Sequence, residues 1–402
     1  MVQIAVVGAG FAGLTAALRL NQAGHEVAVF EARDRVGGRV HSVTLANGEM
    51  AELGGEWISA DQIFVIGLAE ELGVPMAAVG VDFSKRDLAG SEPIADAEHR
   101  RVASLVDQAI ADLSKDEHGA MTAADLFEPL DDGSDAFKVL RNRIEGSAGV
   151  AANRIGISEV VGDFGLGEST YLRVEDGNQS LAEAIAGRLN DVRLGHPVEG
   201  ITTTNSGVSV AGGGYLFEAE AAVVAVPLPL ISRLRFEPPL DDLMLDSLKR
   251  LTMGTAAKLA LPTDAEPPLV ALQNRDATWW CWTGAGESAA ARKIVTAFAG
   301  TKSAISAVRE DWPDQIGTAL PDVGLIDAPE FIDWGQEKWS QGCYSALAPG
   351  DEVLLEVFEK EGSVVFAGEH TLGAGTIDGA IESGEQAAGR LGSYLARATA
   401  SN

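Results

Sequence analysis

Gly8-Ala-Gly10-Phe-Ala-Gly13 stands between a short apolar run, Gln3-Ile-Ala-Val-Val7, and a helical stretch rich in small residues, Phe11 to Ala23. A second apolar run, Glu26-Val-Ala-Val-Phe30, follows and ends at Glu31. Strand, glycine turn, helix and strand form a unit that implies a parallel sheet. The spacing has a chemical reason. The first glycine permits a tight turn, the second lets the backbone approach a pyrophosphate, and the third lets helix and strand pack closely. The helix N-terminus then turns its amides and the positive end of its dipole toward an anion. Glu31 is placed to accept hydrogen bonds from a ribose. The motif therefore predicts a dinucleotide site on Gly8, Gly10, Ala12, Gly13 and Glu31.

Composition removes other classes. Acids outnumber bases by 59 to 30 in 402 residues, a formal charge of −29. Nucleic-acid binding needs Lys and Arg to neutralise phosphates, so that partner is not expected. An anionic membrane surface is disfavoured for the same reason, and cationic small molecules are mildly favoured by steering. Cys281 and Cys343 are the two cysteines, too few for a disulfide framework or a cysteine metal cluster, and the six histidines show no ligand spacing. No metal is expected. No apolar run approaches the roughly 18 residues that span a bilayer. No Lys or Arg precedes the stretch from Ile4 to Leu18, so it reads as folded structure, and the expected location is cytoplasmic.

Along the chain, Asn47-Gly48 predicts a hairpin turn between Ser42–Leu45 and Glu49–Leu53. From about 60 to 170 the pattern is helical, with Val102, Leu105, Val106, Ala109, Ile110 and Leu113 as one apolar stripe. Ser180-Leu-Ala-Glu183 reads as a capping box. Strand-like runs follow at Val192–Thr203, Gly207–Ala211 and Tyr215–Val226. The end returns to the opening pattern, with a strand at Ser363–Ala367, a glycine-rich turn and a long helix from about Asp378 to Ala398. These signals predict an α/β chain in which a discontinuous Rossmann-like dinucleotide-binding domain is interleaved with a second, α+β domain. The expected division assigns 1–58, 177–250 and 340–402 to the former, and 59–176 and 251–339 to the latter.

After Glu31 come Ala32, then Arg33-Asp-Arg35-Val-Gly-Gly38-Arg39, then Leu53-Gly54-Gly55-Glu56-Trp57. With these the sequence resembles the flavin-containing amine oxidases of the monoamine oxidase type. The resemblance implies FAD as cofactor, a GR2-type FAD-binding Rossmann-like domain to hold it, and a substrate-binding role for the α+β domain. It implies that Arg39 reaches the pyrophosphate and that Gly54-Gly55-Glu56-Trp57 passes the isoalloxazine ring. Phe366-Ala-Gly368-Glu369 and Gly375-Thr376-Ile377-Asp378 are similar to the family's closing motif. There Glu369 would contact the ribityl chain, and the backbone N–H of Ile377 the pyrimidine ring. His196-Pro-Val198 resembles the adenine-binding segment. The matches run from residue 2 to 390.

Met253-Gly-Thr-Ala-Ala-Lys258 resembles the family segment whose lysine binds a water near flavin N5, so Lys258 is implied to act on dioxygen through its charge. Trp339-Ser-Gln-Gly-Cys343-Tyr344 resembles the segment that carries an aromatic-cage tyrosine, here Tyr344, with Trp339 beside it. In some members the cysteine matching Cys343 is bonded to the flavin, and the sequence leaves covalent attachment open. The second cage aromatic would fall at Thr376, where the cage is incomplete unless Trp280 or Trp282 substitutes. The implied reaction removes hydride from the α-carbon of a small primary or secondary amine and reduces dioxygen to hydrogen peroxide. An amino acid or a methylamino acid such as 4-methylaminobutanoate is an alternative substrate, which would need an Arg or a comparable donor from 60–170 or 270–335, at a position the sequence does not fix. Desaturation on the same FAD domain and a noncatalytic FAD-binding module are further alternatives. A homodimer is left open. The chain ends soon after its last helix, which predicts a protein without a membrane tail.

Overall fold

The computed structural model describes residues 1–79, 86–160, 171–205, 207–274, 278–285, 291–308 and 311–400. Its centre is a five-stranded parallel sheet in the order Val364–Phe366, Ala221–Val224, Gln3–Val7, Glu26–Phe30, Asp191–Arg193. Alternation decides what each face buries. Ile4, Val6, Val27, Val29 and Val223 pack under helices Phe11–Gln22 and Ile377–Ala400. Ala5, Val7, Ala28, Phe30 and Val224 turn to the other side and meet a second, four-stranded sheet. A parallel sheet covered on both faces in this way gains roughly 1.5–3 kcal/mol from each fully buried Val or Ile. The two helices cross closely because Gly384 has no side chain: a Cβ there would lie 2.4 Å from the Ala12 carbonyl oxygen.

A six-stranded sheet builds the other half of the molecule, in the order Glu330–Asp333, Ala257–Pro262, Ala291–Ala299, Trp280–Ala285, Ala271–Gln273, Asp87–Leu88. Its register pairs Lys258 with Phe298, and Phe298 with Trp280. Residues directly opposite in a ladder share a face, so these three side chains form one row. Leu259, Ala297 and Cys281 point the other way, into a core with Ile305, Trp312 and Ile316. Helices Asp96–Ala111, Ala123–Phe127 and Asp135–Ala148 form a separate cluster around Val102, Phe127 and Phe137. Among the described residues, no helix is long and apolar enough to cross a membrane.

Several local expectations change. The run Val192–Thr203 is two strands, Asp191–Arg193 and Val198–Thr204, because Gly195 turns the chain at φ +67°. Tyr215–Val226 is likewise split, and its halves Tyr215–Ala219 and Ala221–Val224 belong to different sheets. The capping box at Ser180 does not form. The helix is Gln179–Ala186 with Asn178 at its N-cap, and the Ser180 hydroxyl donates to the Gly177 carbonyl. Capping boxes do form at Ser114 with Glu117 and at Thr122 with Asp125. Leu105 is 37% exposed and leaves the expected stripe, while Val102 and Val106 are buried. The Asn47-Gly48 hairpin joins Ser42–Thr44 to Met50–Glu52 as expected.

Candidate active site

One cavity of about 800 Å³ runs from the Gly8–Ala12 turn to the Lys258–Trp280 row. That volume is in the range of small-molecule and cofactor pockets, roughly 300–1,000 Å³. Of the residues expected from the sequence to hold the cofactor or take part in the reaction, Gly13 does not line it, and neither does His196 of the adenine-type segment. A Cβ on Gly13 would stand 2.0 Å from the Gly8 carbonyl oxygen, so this glycine serves helix–strand packing. Gly8 adopts φ +104°, and a Cβ would press on Ala225. Gly10 faces open space, where a Cβ would meet only the Gly38 Cα, at 3.9 Å.

These residues fit a dinucleotide. Helix Phe11–Gln22 has no side-chain cap at Gly10 and no acid in its first turn, which leaves its first amides for an anion. Glu31 is buried and fixed by the backbone amides of Ala9 (2.8 Å) and Arg33 (2.9 Å), and a carboxylate so held still has lone pairs for a ribose. Ala32, Arg33 and Val198 line the same end, and Arg33 donates to Glu337 and to Ser340 Oγ. Arg35 braces the loop that carries Gly38 and Arg39 by donating to the carbonyls of Val36, Gly38 and Val40. Burial first, then neighbouring Arg33, lowers its pKa to about 10. Nothing in the local sequence separates this bracing arginine from its neighbours Arg33 and Arg39.

Arg39 Nη1 donates to Glu369 Oε1 (2.7 Å) and to the Cys343 carbonyl (2.6 Å). Burial would raise the Glu369 carboxyl, but Arg39, His370 and the Ser345 hydroxyl hold it below its ordinary value. Gly54 passes so near Arg39 that a Cβ would lie 2.0 Å from its carbonyl oxygen, and Gly55 packs on Ile377. Gly368 is at φ +146°, with the His370 ring against it. Thr376 is an N-cap for the last helix, its Oγ1 accepting from the Gly379 amide at 2.9 Å. That is a physical reason for a threonine where an aromatic was expected. Ile377, at the same helix N-terminus, lines the cavity.

At the far end, Lys258 Nζ donates to the carbonyls of Glu52 and Gly54, both at 3.0 Å, and to Glu56 Oε2 at 2.6 Å. All three ammonium donors are engaged by one short segment. Trp280 and Trp282 are stacked at 4.1 Å, Trp57 lies 5.4 Å from Trp282, and Tyr171 lies 6.0 Å from Trp57. The Tyr344 hydroxyl donates to the Gly146 carbonyl at 3.0 Å, and burial first keeps its phenol well above its ordinary pKa. Cys343 is packed against Gly149, and burial pushes its thiol up to about 12.

Trp339 lines the cavity beside Lys338, on the stretch that Arg33 holds. Trp334, which the sequence did not single out, packs with Cys343, Tyr344 and Phe298 and donates to the Leu53 carbonyl. Arg86 and Arg143 were also missed. Arg86 is buried with its guanidinium carbon 3.6 Å from the Trp280 ring centroid. Burial first, then Arg143, lowers its pKa. Nothing in the local sequence marks either arginine as a cavity residue.

A family model described as flavin containing amine oxidoreductase matches residues 11–93 and 90–392. The chain is 31% identical to putrescine oxidase of Kocuria rosea, over 64% of this chain and 63% of that protein, less than two thirds of its length. It is 24% identical to L-amino acid dehydrogenase of Synechocystis sp., over 95% of this chain and 93% of that one. A solved double mutant of putrescine oxidase superposes with a TM-score of 0.81 at 23% identity, covering 98% and 99% of the two chains. At that identity the likeness shows the fold alone.

Proposed function

The chain belongs to the flavin containing amine oxidoreductase family, and on that premise we propose that it oxidises small primary or secondary amines at the α-carbon with dioxygen as acceptor. The α-carbon gives up hydride, the amine becomes an imine, and water hydrolyses the imine to an aldehyde with release of ammonia from a primary amine or of the remaining amine from a secondary one. Dioxygen takes up two electrons and two protons as hydrogen peroxide. Bound FAD supplies the hydride acceptor and carries the electrons to dioxygen.

The observation that carries this reading is the continuity of the cavity. One end has the Gly8–Ala12 turn and Glu31, and the other has the Lys258–Phe298–Trp280 row. Gly8, Gly10 and Ala12 would hold the pyrophosphate with Arg39. Glu31, Ala32, Arg33 and Val198 would hold the adenosine end. Gly38, Gly54–Trp57, Cys343, Gly368, Glu369, Thr376 and Ile377 would surround the flavin portion, with Cys343 as a neighbour not bonded to it.

Trp57, Trp280, Trp282 and Tyr344 form an apolar wall at the substrate end. Such surroundings disfavour an ammonium and so favour the neutral amine, whose lone pair assists departure of the hydride. Tyr344 stays a neutral phenol and orients the amine. Lys258 places a fixed positive charge where dioxygen is reduced. The same reading groups 1–58, 177–250 and 340–402 as the cofactor unit and 59–176 with 251–339 as the substrate unit. Its support is that every strand of the parallel sheet comes from the first group.

The test is an anaerobic titration of the flavin-loaded protein with a panel of amines. Loss of the flavin absorbance, its return on admitting air and equimolar peroxide are expected. A flavin that no amine bleaches would overturn the reading.

A further inference from the structure

We propose that Glu56 chooses among amines: one oxygen of its carboxylate accepts a hydrogen bond from the N–H of the neutral substrate, so that primary and secondary amines are taken and tertiary amines are refused. This rests on the reading of the aromatic end of the cavity as the amine site and adds the residue that sets specificity there.

The chain places this carboxylate between two neighbours with different surroundings. Gly55, just before it, packs on Ile377 in the part of the cavity assigned to the flavin. Trp57, just after it, lies 5.4 Å from Trp282 in the aromatic wall. Glu56 lines the cavity between them, with its side chain 10% exposed. Two anchors fix it. The Asn178 side-chain amide donates to the Gly55 and Glu56 carbonyls, which holds the backbone. Lys258 Nζ donates to Glu56 Oε2 at 2.6 Å, which holds the side chain. Among the described residues, no donor reaches the other oxygen, Oε1. An ionised carboxylate only accepts, and leaving such an oxygen unfilled in apolar surroundings is costly. Oε1 therefore takes its donor from whatever fills the cavity.

The electrostatics suit an uncharged donor. Lys258 Nζ lies 5.4 Å from the Trp282 ring centroid and is paired with Glu56, so toward the amine the two charges largely cancel. A neutral amine that donates its N–H to Oε1 turns its lone pair away from the carboxylate, free to assist departure of the hydride. A protonated amine also has an N–H to give, but it has no lone pair and reacts only after losing its proton. A primary amine carries two hydrogens for this contact and a secondary amine one. A neutral tertiary amine carries none. It displaces water from Oε1 and returns no donor, the case in which hydrogen-bonding sites discriminate most strongly.

The experiment uses flavin-loaded protein and two isomeric amines, N-ethylhexylamine and N,N-dimethylhexylamine, which have the same atoms but one N–H and none. Anaerobic bleaching at low amine concentration should be about 100-fold faster with the N-ethyl isomer. In Glu56→Gln the carboxamide oxygen must stay on Lys258, because the NH2 cannot accept, so the cavity gains a donor where it had an acceptor. The preference should shrink roughly tenfold or more in that variant. A second readout uses tert-butylamine, which has N–H groups but no α-hydrogen and is not oxidised. It should perturb the flavin spectrum, with a Kd roughly tenfold weaker in Glu56→Gln. A dimethyl isomer that matches its N-ethyl partner in the parent protein would overturn the role of Glu56 and leave amine oxidation standing, and that comparison needs no variant to fold. An unchanged preference or an unchanged Kd in Glu56→Gln would do the same. Failure of every amine to bleach the flavin would overturn both.

Discussion

Lys258 and Glu56 meet at 2.6 Å across 202 residues of sequence. The ammonium sits on the floor of the six-stranded sheet, and the carboxylate follows the Gly54-Gly55 turn. Because the other two ammonium donors go to the Glu52 and Gly54 carbonyls, Lys258 holds this turn in place as well as charging the cavity. Its proposed effect on dioxygen is therefore one of field, exerted from a donor set already filled.

Replacement of Lys258 tests both roles. Lys258→Met leaves a carboxylate and two carbonyls without their donor, and loss of one partner from a buried pair costs about 3–5 kcal/mol. The variant should unfold at lower temperature. In the fraction that remains folded and yellow, stopped-flow mixing with air should show flavin reoxidation slowed at least tenfold. Unchanged oxygen kinetics would remove Lys258 from the reaction.

Gly10 and Gly13 separate ligand space from packing space. Gly10 has ordinary extended dihedrals, φ −75° and ψ 176°, so alanine fits the backbone. Gly10→Ala should leave the unfolding midpoint of the flavin-free protein within error and weaken FAD binding at least tenfold. Gly13→Ala drives a methyl into the Gly8 carbonyl and should destabilise the fold itself by about 1–3 kcal/mol or more. Equal effects of the two on apoprotein stability would show that Gly10 does not face a ligand.

Cys343 bears on how the cofactor is held. Burial pushes its thiol up to about 12, so the reactive thiolate is disfavoured at neutral pH. FAD should appear in the supernatant after acid precipitation, and Cys343→Ala should bind it stoichiometrically. Yellow colour retained in the pellet of the parent, and lost in the variant, would refute noncovalent attachment.

Glu52 supplies a pH signature. Burial first, with Glu56 adding to it against the Asn178 amide, Ser42 and Lys258, raises its pKa from 4.5 to about 7. Between those values the folded chain holds a proton that the unfolded chain has released. The contribution of this group to stability thus falls as pH rises from about 4.5 to about 7, by roughly 3 kcal/mol in total. Urea unfolding of Glu52→Gln beside the parent should show the variant gaining on it by roughly 2–3 kcal/mol between pH 5 and pH 8. A difference independent of pH would contradict the raised pKa.

Much of the Gly8 end of the cavity was legible in the chain because it is written in local backbone chemistry. The Gly8 turn, the acid closing the second strand and the helix that opens at Ile377 are each decided within about ten residues. The strand boundaries at Gly195 and at residue 220 were not, since apolar alternation continues across a turn and does not say which sheet a strand joins. The capping box at Ser180 failed for a similar reason. Asn178 lies ahead of it, and its side chain accepts from the Val174 amide and donates to the Gly55 and Glu56 carbonyls.

The sequence by itself determined that a glycine turn between strand and helix, an arginine behind a glycine pair and a lysine on an apolar strand occur in one chain. Steric limits on glycine, helix dipoles and side-chain periodicity act over short distances and leave readable spacing. Only the tertiary structure decided that Arg86 stacks on Trp280, that Arg143 shares a helix with the Gly146 that meets Gly300, and that the Thr376 hydroxyl caps the last helix. Those outcomes follow from the register of strands and the close approach of glycines in distant segments. Such contacts form between surfaces that carry no common local pattern.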